Sequence, residues 1–396
     1  GCGEGIDIYM QHAVSHNAFF NAVPGIVQET MDEVAKITGR QYKLFDYVGD
    51  EDAERVVVVM GSGSSTVEEV VKNLNAKGEK VGVLKVRLYR PWANDAFLSA
   101  LPKSAKHICV LDRTKEDGAP GDPLYLDVNT TLMEAGDFRN VVPGRFGLAS
   151  KEFTPAMVAS IFDNLTKEKP MRHFCIGVND DVTFTSLDYA PEPLETTPEG
   201  TVQAIFFGLG SDGTVGANKE AIKIINENTD MNGQAFFVYD SNKSGGVTRS
   251  HIRFGPEPIT SAYLVENADY VGCHHPSFLK KFNPLAKIRE GGVFVLNSPW
   301  TLEQMEAEIP GSLKREIAAK NIQFYNIDAT EIASGVGLGR RINMIMQTAF
   351  FELSDLMKPE EAHDLLSGSI KKTYWHKGEK IVDMNIQGVL STAAGL

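Results

Sequence analysis

Cysteine is scarce in this chain and badly placed for cluster chemistry. The four cysteines, Cys2, Cys109, Cys175 and Cys273, stand far apart and form no C-x-x-C pair, which excludes an iron–sulfur cluster or structural zinc site assembled from a local motif. Cys109 and Cys175 lie inside apolar, strand-like runs, where the role of a small buried hydrophobe is expected. No framework of paired cysteines and no secretion signal is seen, so the expected location is the cytoplasm or the interior of a reducing organelle. Long apolar runs are missing too: none approaches the roughly eighteen residues that a membrane helix needs, so no membrane span is expected. Positive charge is in deficit. A formal net charge of -13 argues against a nucleic-acid-binding surface, which needs clustered cations free of a surrounding negative field.

What remains is a globular composition, 42% hydrophobic and 23% charged over 396 residues, long enough for two or three domains with ample cores. The first fifty residues read as an irregular entry and one helix from Pro24 to Thr38, with Val27, Met31, Val34 and Ile37 at helical spacing, a linker and docking helix. From residue 51 to 190, continuous apolar runs alternate with helical stretches. RVVVVM (Arg55 to Met60) precedes the turn Gly61-Ser62-Gly63 and a helix, VGVLKVR follows, and HICVLD gives a third strand. Such alternation implies a doubly wound α/β domain with a mostly parallel sheet. The G-S-G turn begins like a dinucleotide fingerprint, but Thr66 or Val67 stands where the third glycine belongs and no acidic residue ends the next strand, so NAD binding is not expected. The loop DRTKEDGAPGDPLYLD, from Asp112 to Asp127, leaves the third strand at the sheet edge where ligands usually sit. Arg113, Lys115 and Glu116 there are either a solvated ion network or part of a contact with a neighbouring domain.

A second doubly wound, mostly parallel-sheet domain is expected over 200–375, after the connector APEPLETTPEG, with TVQAIFF, QAFFVYD, DYVGCH, GGVFVLN and IQFYNID as five parallel strands and a tail over 376–396. A long helix is expected from Gly335 to Leu353, with Ile342, Ile345, Met346, Ala349 and Phe350 on its core face. Arg340 and Arg341 at its start are unusual against the helix dipole; solvent exposure or a bound anion accounts for them. His274 and His275 read as a loop pair rather than as metal ligands.

Two segments of this domain suit a polyanion. GLGSDGTVGANK, from Gly208 to Lys219, opens a helix after a strand, and YDSNKSGGVTRSHIRFG, from Tyr239 to Gly255, brings Lys243, Arg249 and Arg253 together with adjacent glycines. Amides freed by glycine at a helix N-terminus seat phosphate, and guanidinium and ammonium groups complete the seat. The candidate ligand-binding residues are Gly208, Gly210, Ser211, Gly213, Lys243, Ser244, Arg249 and Arg253, with Asn297 and Ser298 at the end of the VFVLN strand.

These two segments, together with LFDYVGDEDAERVVVVMGSGSSTVEE, GEKVGVLKVRLYRPW, VLDRTKEDGAPGDPLYLDV, GRFGLASKEFTP, HFCIGVNDDVTFTSLDY and KTYWHKGEKIVDMN, resemble pyruvate:ferredoxin (flavodoxin) oxidoreductases along nearly the whole chain. The resemblance implies an internal piece of that enzyme: a transketolase C-terminal-like domain over 51–190 and a gamma-type, coenzyme-A-associated domain over 200–375. It implies that coenzyme A meets the candidate residues just named. Thiamine diphosphate, magnesium and 4Fe–4S clusters would belong to other parts of the enzyme, since Ser211-Asp212-Gly213 lacks the first glycine of the thiamine word and Asn226 and Asn228 follow too soon. No catalytic or metal-ligating residue is therefore assigned, and the chain alone is not expected to turn over. Implied partners are the remaining domains of the same polypeptide, ferredoxin or flavodoxin as acceptor, and a second copy in a homodimer. Two alternatives stay open: the same region of pyruvate:NADP oxidoreductase or another 2-oxoacid oxidoreductase, and a non-catalytic scaffold module as in a sulfite reductase subunit.

Overall fold

A computed structural model describes residues 5–210, 212–240, 246–354 and 356–393. The chain divides into two compact units, the first formed by 1–196 with 260–263, the second by 197–259 with 264–396.

In the first unit, α1 (Tyr9–Ser15) and α2 (Asn17–Thr38) precede β1 (Phe45–Gly49), β2 (Arg55–Met60), α3 (Gly63–Ala76), β3 (Val81–Val86), α4 (Asn94–Ala100), β4 (His107–Asp112), α5 (Pro123–Glu134), β5 (Asn140–Arg145), α6 (Pro155–Thr166) and the short β6 (Phe174–Cys175). The six strands order as β1-β3-β2-β4-β5-β6. All pairings are parallel except β1 with β3. The four valines of β2 show why this run must be central: Val57 and Val59 join one buried cluster with Val67 and Val70 of α3, while Val56 and Val58 join another with Phe97 and Leu124. Strand alternation sends them to opposite faces, and burying each stabilises the fold by about 2 kcal/mol.

The G-S-G turn serves packing. A Cβ on Gly63 would come within 2.5 Å of the Phe146 ring. The acidic loop is pinned from inside: Asp112 accepts the N–H groups of Leu124 and Tyr125 at 2.9 and 3.1 Å, and Asp122 accepts those of Glu116 at 2.8 Å and of the Arg145 guanidinium at 2.7 Å. Helix α2 begins earlier than Pro24, and Val27 and Met31 pack beside Leu44 and Phe45 whereas Val34 and Ile37 stay exposed.

In the second unit the elements are β7 (Val202–Leu209), α7 (Thr214–Asn228), β8 (Asn232–Tyr239), β9 (Val247–Gly255), β10 (Ala268–Cys273), β11 (Ile288–Asn297), α8 (Leu302–Glu308), α9 (Gly311–Ala319), β12 (Gln323–Ile327), α10 (Ala329–Gly335), α11 (Asn343–Leu353), α12 (Pro359–Tyr374) and α13 (Glu379–Ala393). The sheet runs β12-β11-β10-β7-β9-β8. Five strands were expected; the sixth, β9, is the basic segment itself, antiparallel to both β7 and β8. Ala204 and Phe206 face a cluster with α7 and α11, while Ile205 and Phe207 face one with Leu313.

Two boundaries differ from expectation. The expected helix from Gly335 is interrupted, α11 starting only at Asn343, with Arg340 and Arg341 exposed in the turn before it. The expected tail is α13, whose Val382 and Val389 are buried beside Ile345 and Phe350: the tail is amphipathic, and its apolar positions belong to the core. Among the described residues, no helix is long and apolar enough to cross a membrane.

Candidate functional site

The site lies where β7 ends and α7 begins. Gly208 packs so closely on the first turn of α7 that a Cβ there would stand 2.5 Å from Thr214 Oγ1. Gly213 adopts φ +91, and its own Cβ would meet Asn343 Nδ2 at 2.3 Å, so glycine is required there on both counts. Asn343 uses that nitrogen to donate to the Asp212 carbonyl at 2.9 Å.

Asp212 does what an external anion was expected to do. Its carboxylate accepts the N–H of Leu209 at 2.7 Å and the N–H of Thr214 at 2.8 Å. A negative group at the helix N-terminus is thus supplied from within the turn, as the dipole favours. Beside it, the Gly210 N–H donates to the Gly246 carbonyl at 2.9 Å and Thr248 Oγ1 to the Gly208 carbonyl at 3.2 Å, tying β9 to the turn. Asp212, Gly210, Gly246 and Thr248 border a cleft of about 360 Å³, lined also by Leu209, Gly213, Val215, Tyr239 and Asp240.

The ten sequence candidates separate. Gly208, Gly210 and Gly213 form the turn. Ser211, Lys243 and Ser244 lie outside the described residues. Arg249 is exposed on β9, paired in register with Phe207 and Val238. Arg253 is not at this rim: four residues along a strand is about 13 Å, which brings it opposite Gln203 at the start of β7. There it is 2% exposed and donates to Gln203 Oε1, Gln234 Oε1 and the Leu264 carbonyl at 3.0, 3.2 and 3.2 Å. A guanidinium so enclosed holds strands together.

Asn297 and Ser298 are likewise at the sheet's C-terminal end but turned inward. Asn297 donates to the His274 carbonyl and accepts the Ala329 N–H, both at 3.0 Å. Ser298 Oγ donates to Asn326 Oδ1 at 2.6 Å. Both are internal clamps between strand ends and the start of α10, a use that strand-end position alone could not distinguish from ligand reading.

The sequence reads His274 as one of a loop pair, and the fold turns it inward. It follows β10, is 4% exposed, and its Nδ1 lies 2.9 Å from Thr214 Oγ1. Burial drives its pKa down to about 4, with Asp212 opposing the shift. His251 on β9 falls to about 4 as well, through burial first and then the charges of Arg249, Arg253 and Lys287. Its Nδ1 accepts the Val265 N–H at 3.2 Å. Both imidazoles are neutral at pH 7.

Comparison with known proteins covers the chain nearly end to end. Residues 203–394 match the family described as pyruvate ferredoxin/flavodoxin oxidoreductase, and residues 53–156 match pyruvate:ferredoxin oxidoreductase core domain II. The pyruvate:ferredoxin oxidoreductase of Moorella thermoacetica is 54% identical over 98% of this chain, which corresponds to 33% of that protein. The mitochondrial NADP(+) pyruvate dehydrogenase of Euglena gracilis is 51% identical over 100% of the chain and 22% of its own length. The pyruvate-flavodoxin oxidoreductase of Trichormus variabilis is 50% identical over 100% of the chain and 33% of its own length. The chain therefore spans a third or less of these relatives. Among solved structures, a pyruvate oxidoreductase subunit from Thermotoga maritima aligns with TM-score 0.40 at 18% identity, over 50% of this chain and 97% of that one.

Proposed function

Because this chain belongs to the pyruvate:ferredoxin oxidoreductase family, as core domain II followed by the gamma-type domain, we propose that it works as an internal part of a thiamine-dependent 2-oxoacid oxidoreductase. That enzyme takes pyruvate and coenzyme A to acetyl-CoA and carbon dioxide and passes the electrons through iron–sulfur clusters to ferredoxin or flavodoxin. The observation that carries this reading is identity of 50–54% maintained over 98–100% of the chain. Relatives named for ferredoxin, flavodoxin and NADP share the stretch at comparable identity, which supports a role on the pyruvate and coenzyme A side of the reaction rather than at the acceptor.

Thiamine diphosphate and its magnesium do not fit here. Magnesium needs several hard oxygen ligands, and among the described residues no group of three or more His, Cys, Asp or Glu is placed to hold a metal ion. That chemistry belongs to sequence outside the two domains.

Within the chain, the proposed coenzyme A contact is the cleft between the end of β7 and the start of β9. Gly210 and Gly213 allow close approach of the backbone, and Arg249, Lys243, Ser244 and Ser211 are the groups proposed to meet its phosphates. The cleft is large enough for part of such a ligand. Calorimetric titration of the full-length enzyme with coenzyme A tests this: Arg249→Ala and Lys243→Ala are expected to weaken binding at least about tenfold, since each removes a charge-assisted contact. Unchanged affinity in both variants would refute the placement while leaving the family membership intact.

A further inference from the structure

On the helical side of the sheet, directly behind the Gly208–Thr214 turn, α7 and α11 close over a small interior space lined by Phe206, Asn218, His274, Asn343, Gln347 and Phe350. Four of these side chains present polar atoms that are buried and lack a hydrogen-bond partner: Asn218 Nδ2, His274 Nε2, Asn343 Oδ1, and both amide atoms of Gln347. Asn218, His274 and Gln347 are 4%, 4% and 5% exposed. Burying one polar atom unpaired is unfavourable, and native interiors seldom do it. Here five such atoms border one space.

The space has about 10 Å³ free, room for one water molecule. Its lining supplies both kinds of partner. Asn343 Oδ1 and Gln347 Oε1 accept; Asn218 Nδ2 and Gln347 Nε2 donate. The His274 role depends on its tautomer: when the Thr214 hydroxyl donates to Nδ1 at 2.9 Å, Nε2 carries the proton and is a donor as well, and in the other tautomer Nε2 accepts.

We propose that one ordered water occupies this space, donating to Asn343 Oδ1 and Gln347 Oε1 and accepting from two of the three donors Asn218 Nδ2, Gln347 Nε2 and His274 Nε2. A water with four partners is well held. It also completes a set of struts under the turn. Asn343 reaches Asp212 with its nitrogen and the water with its oxygen, while His274 reaches Thr214 with one ring nitrogen and the water with the other. The water thereby joins α7 and α11 to the end of β10 behind the cleft, and the geometry of the Asp212 turn depends on it.

The test is a crystal structure of the protein at a resolution that shows ordered solvent, together with the Gln347→Met variant and water relaxation dispersion on both. Methionine keeps the shape and removes both orphaned amide atoms at once, an exchange that folded proteins tolerate well. The expected result is a solvent peak about 2.7–3.2 Å from at least three of the named atoms, and its loss in Gln347→Met together with one long-lived internal water. An empty cavity in the parent protein overturns the proposal even if the variant fails to fold. So does a peak that Gln347→Met leaves in place.

Discussion

The carboxylate of Asp212 accepts the N–H of Thr214 at 2.8 Å, so the first amide of α7 is satisfied by a side chain only two residues before it. A glycine-rich strand-to-helix turn invites phosphate because its amides are free; here the Thr214 amide is buried and already taken. The turn is capped from within by Asp212.

Replacing Asp212 with Ala should cost about 1 kcal/mol, the usual penalty for losing a side-chain acceptor at a helix start, read as a shift of the denaturation midpoint. Asp212→Asn keeps one oxygen and should lose less. Equal stability of Asp212→Ala and the parent would show that the turn does not need its internal acceptor.

Arg249 and Arg253 should part company under mutation. Arg253 is enclosed and donates to Gln203, Gln234 and Leu264, and truncation to Ala removes these charge-assisted bonds from the interior, at about 3 kcal/mol. Arg249 is exposed, and its truncation should stay within about 0.5 kcal/mol while weakening coenzyme A. Thermal melts and titrations of the two variants side by side separate scaffold from ligand contact; a stable Arg253→Ala that loses binding would reverse the assignment.

In the first unit, Glu69 on α3 is 6% exposed and collects four hydroxyls: Thr260 at 3.2 Å, Ser261 at 2.8 Å, Tyr263 at 2.9 Å and Thr196 at 3.3 Å. Residues 260–263 belong to this unit although the chain around them does not, and Glu69 accepts hydroxyls from three of these four residues. Glu69→Ala should cost about 3 kcal/mol, because the buried hydroxyls of Ser261 and Tyr263 lose a charged acceptor together. Faster hydrogen exchange confined to 260–263 and the α3 side is the accompanying signature. A change below about 0.5 kcal/mol, typical of a surface site, would contradict it.

The legible part of the fold was the part written in apolar runs. Val56 to Val59 could only be a central parallel strand, and Ile345, Met346, Ala349 and Phe350 could only be a core-facing helix stripe; all are buried. The strand β9 was hidden because Thr248, Arg249, Ser250, His251 and Arg253 carry no hydrophobic alternation. Its burial is instead made tolerable by hydrogen bonds to residues distant in sequence, such as Gln203 and Leu264, which local pattern does not reveal. The same blindness placed Arg253 at the ligand rim: a guanidinium near glycines reads as phosphate recognition until the antiparallel register separates them. His274 reads as a loop residue for a related reason, since only the fold brings it to Thr214.

The two buried histidines give the protein an acid sensitivity whose sign is fixed. Each titrates near 6.5 when unfolded and near 4 in the fold, so between these values the unfolded chain binds more protons than the native one. Stability contributed by each neutral imidazole is therefore complete above about pH 6.5, declines as pH falls toward about 4, and levels off below that. Urea denaturation at pH 7 and pH 5 should show a loss in the parent protein, part of which disappears in His251→Asn and another part in His274→Asn, because asparagine can accept the same hydrogen bond without titrating. Each substitution carries its own constant cost, so the quantity to compare is the difference between the two pH values within one variant. If that difference is the same in the parent and both variants, the imidazoles are not held neutral by the fold and the packing described around Thr214 and Val265 is wrong.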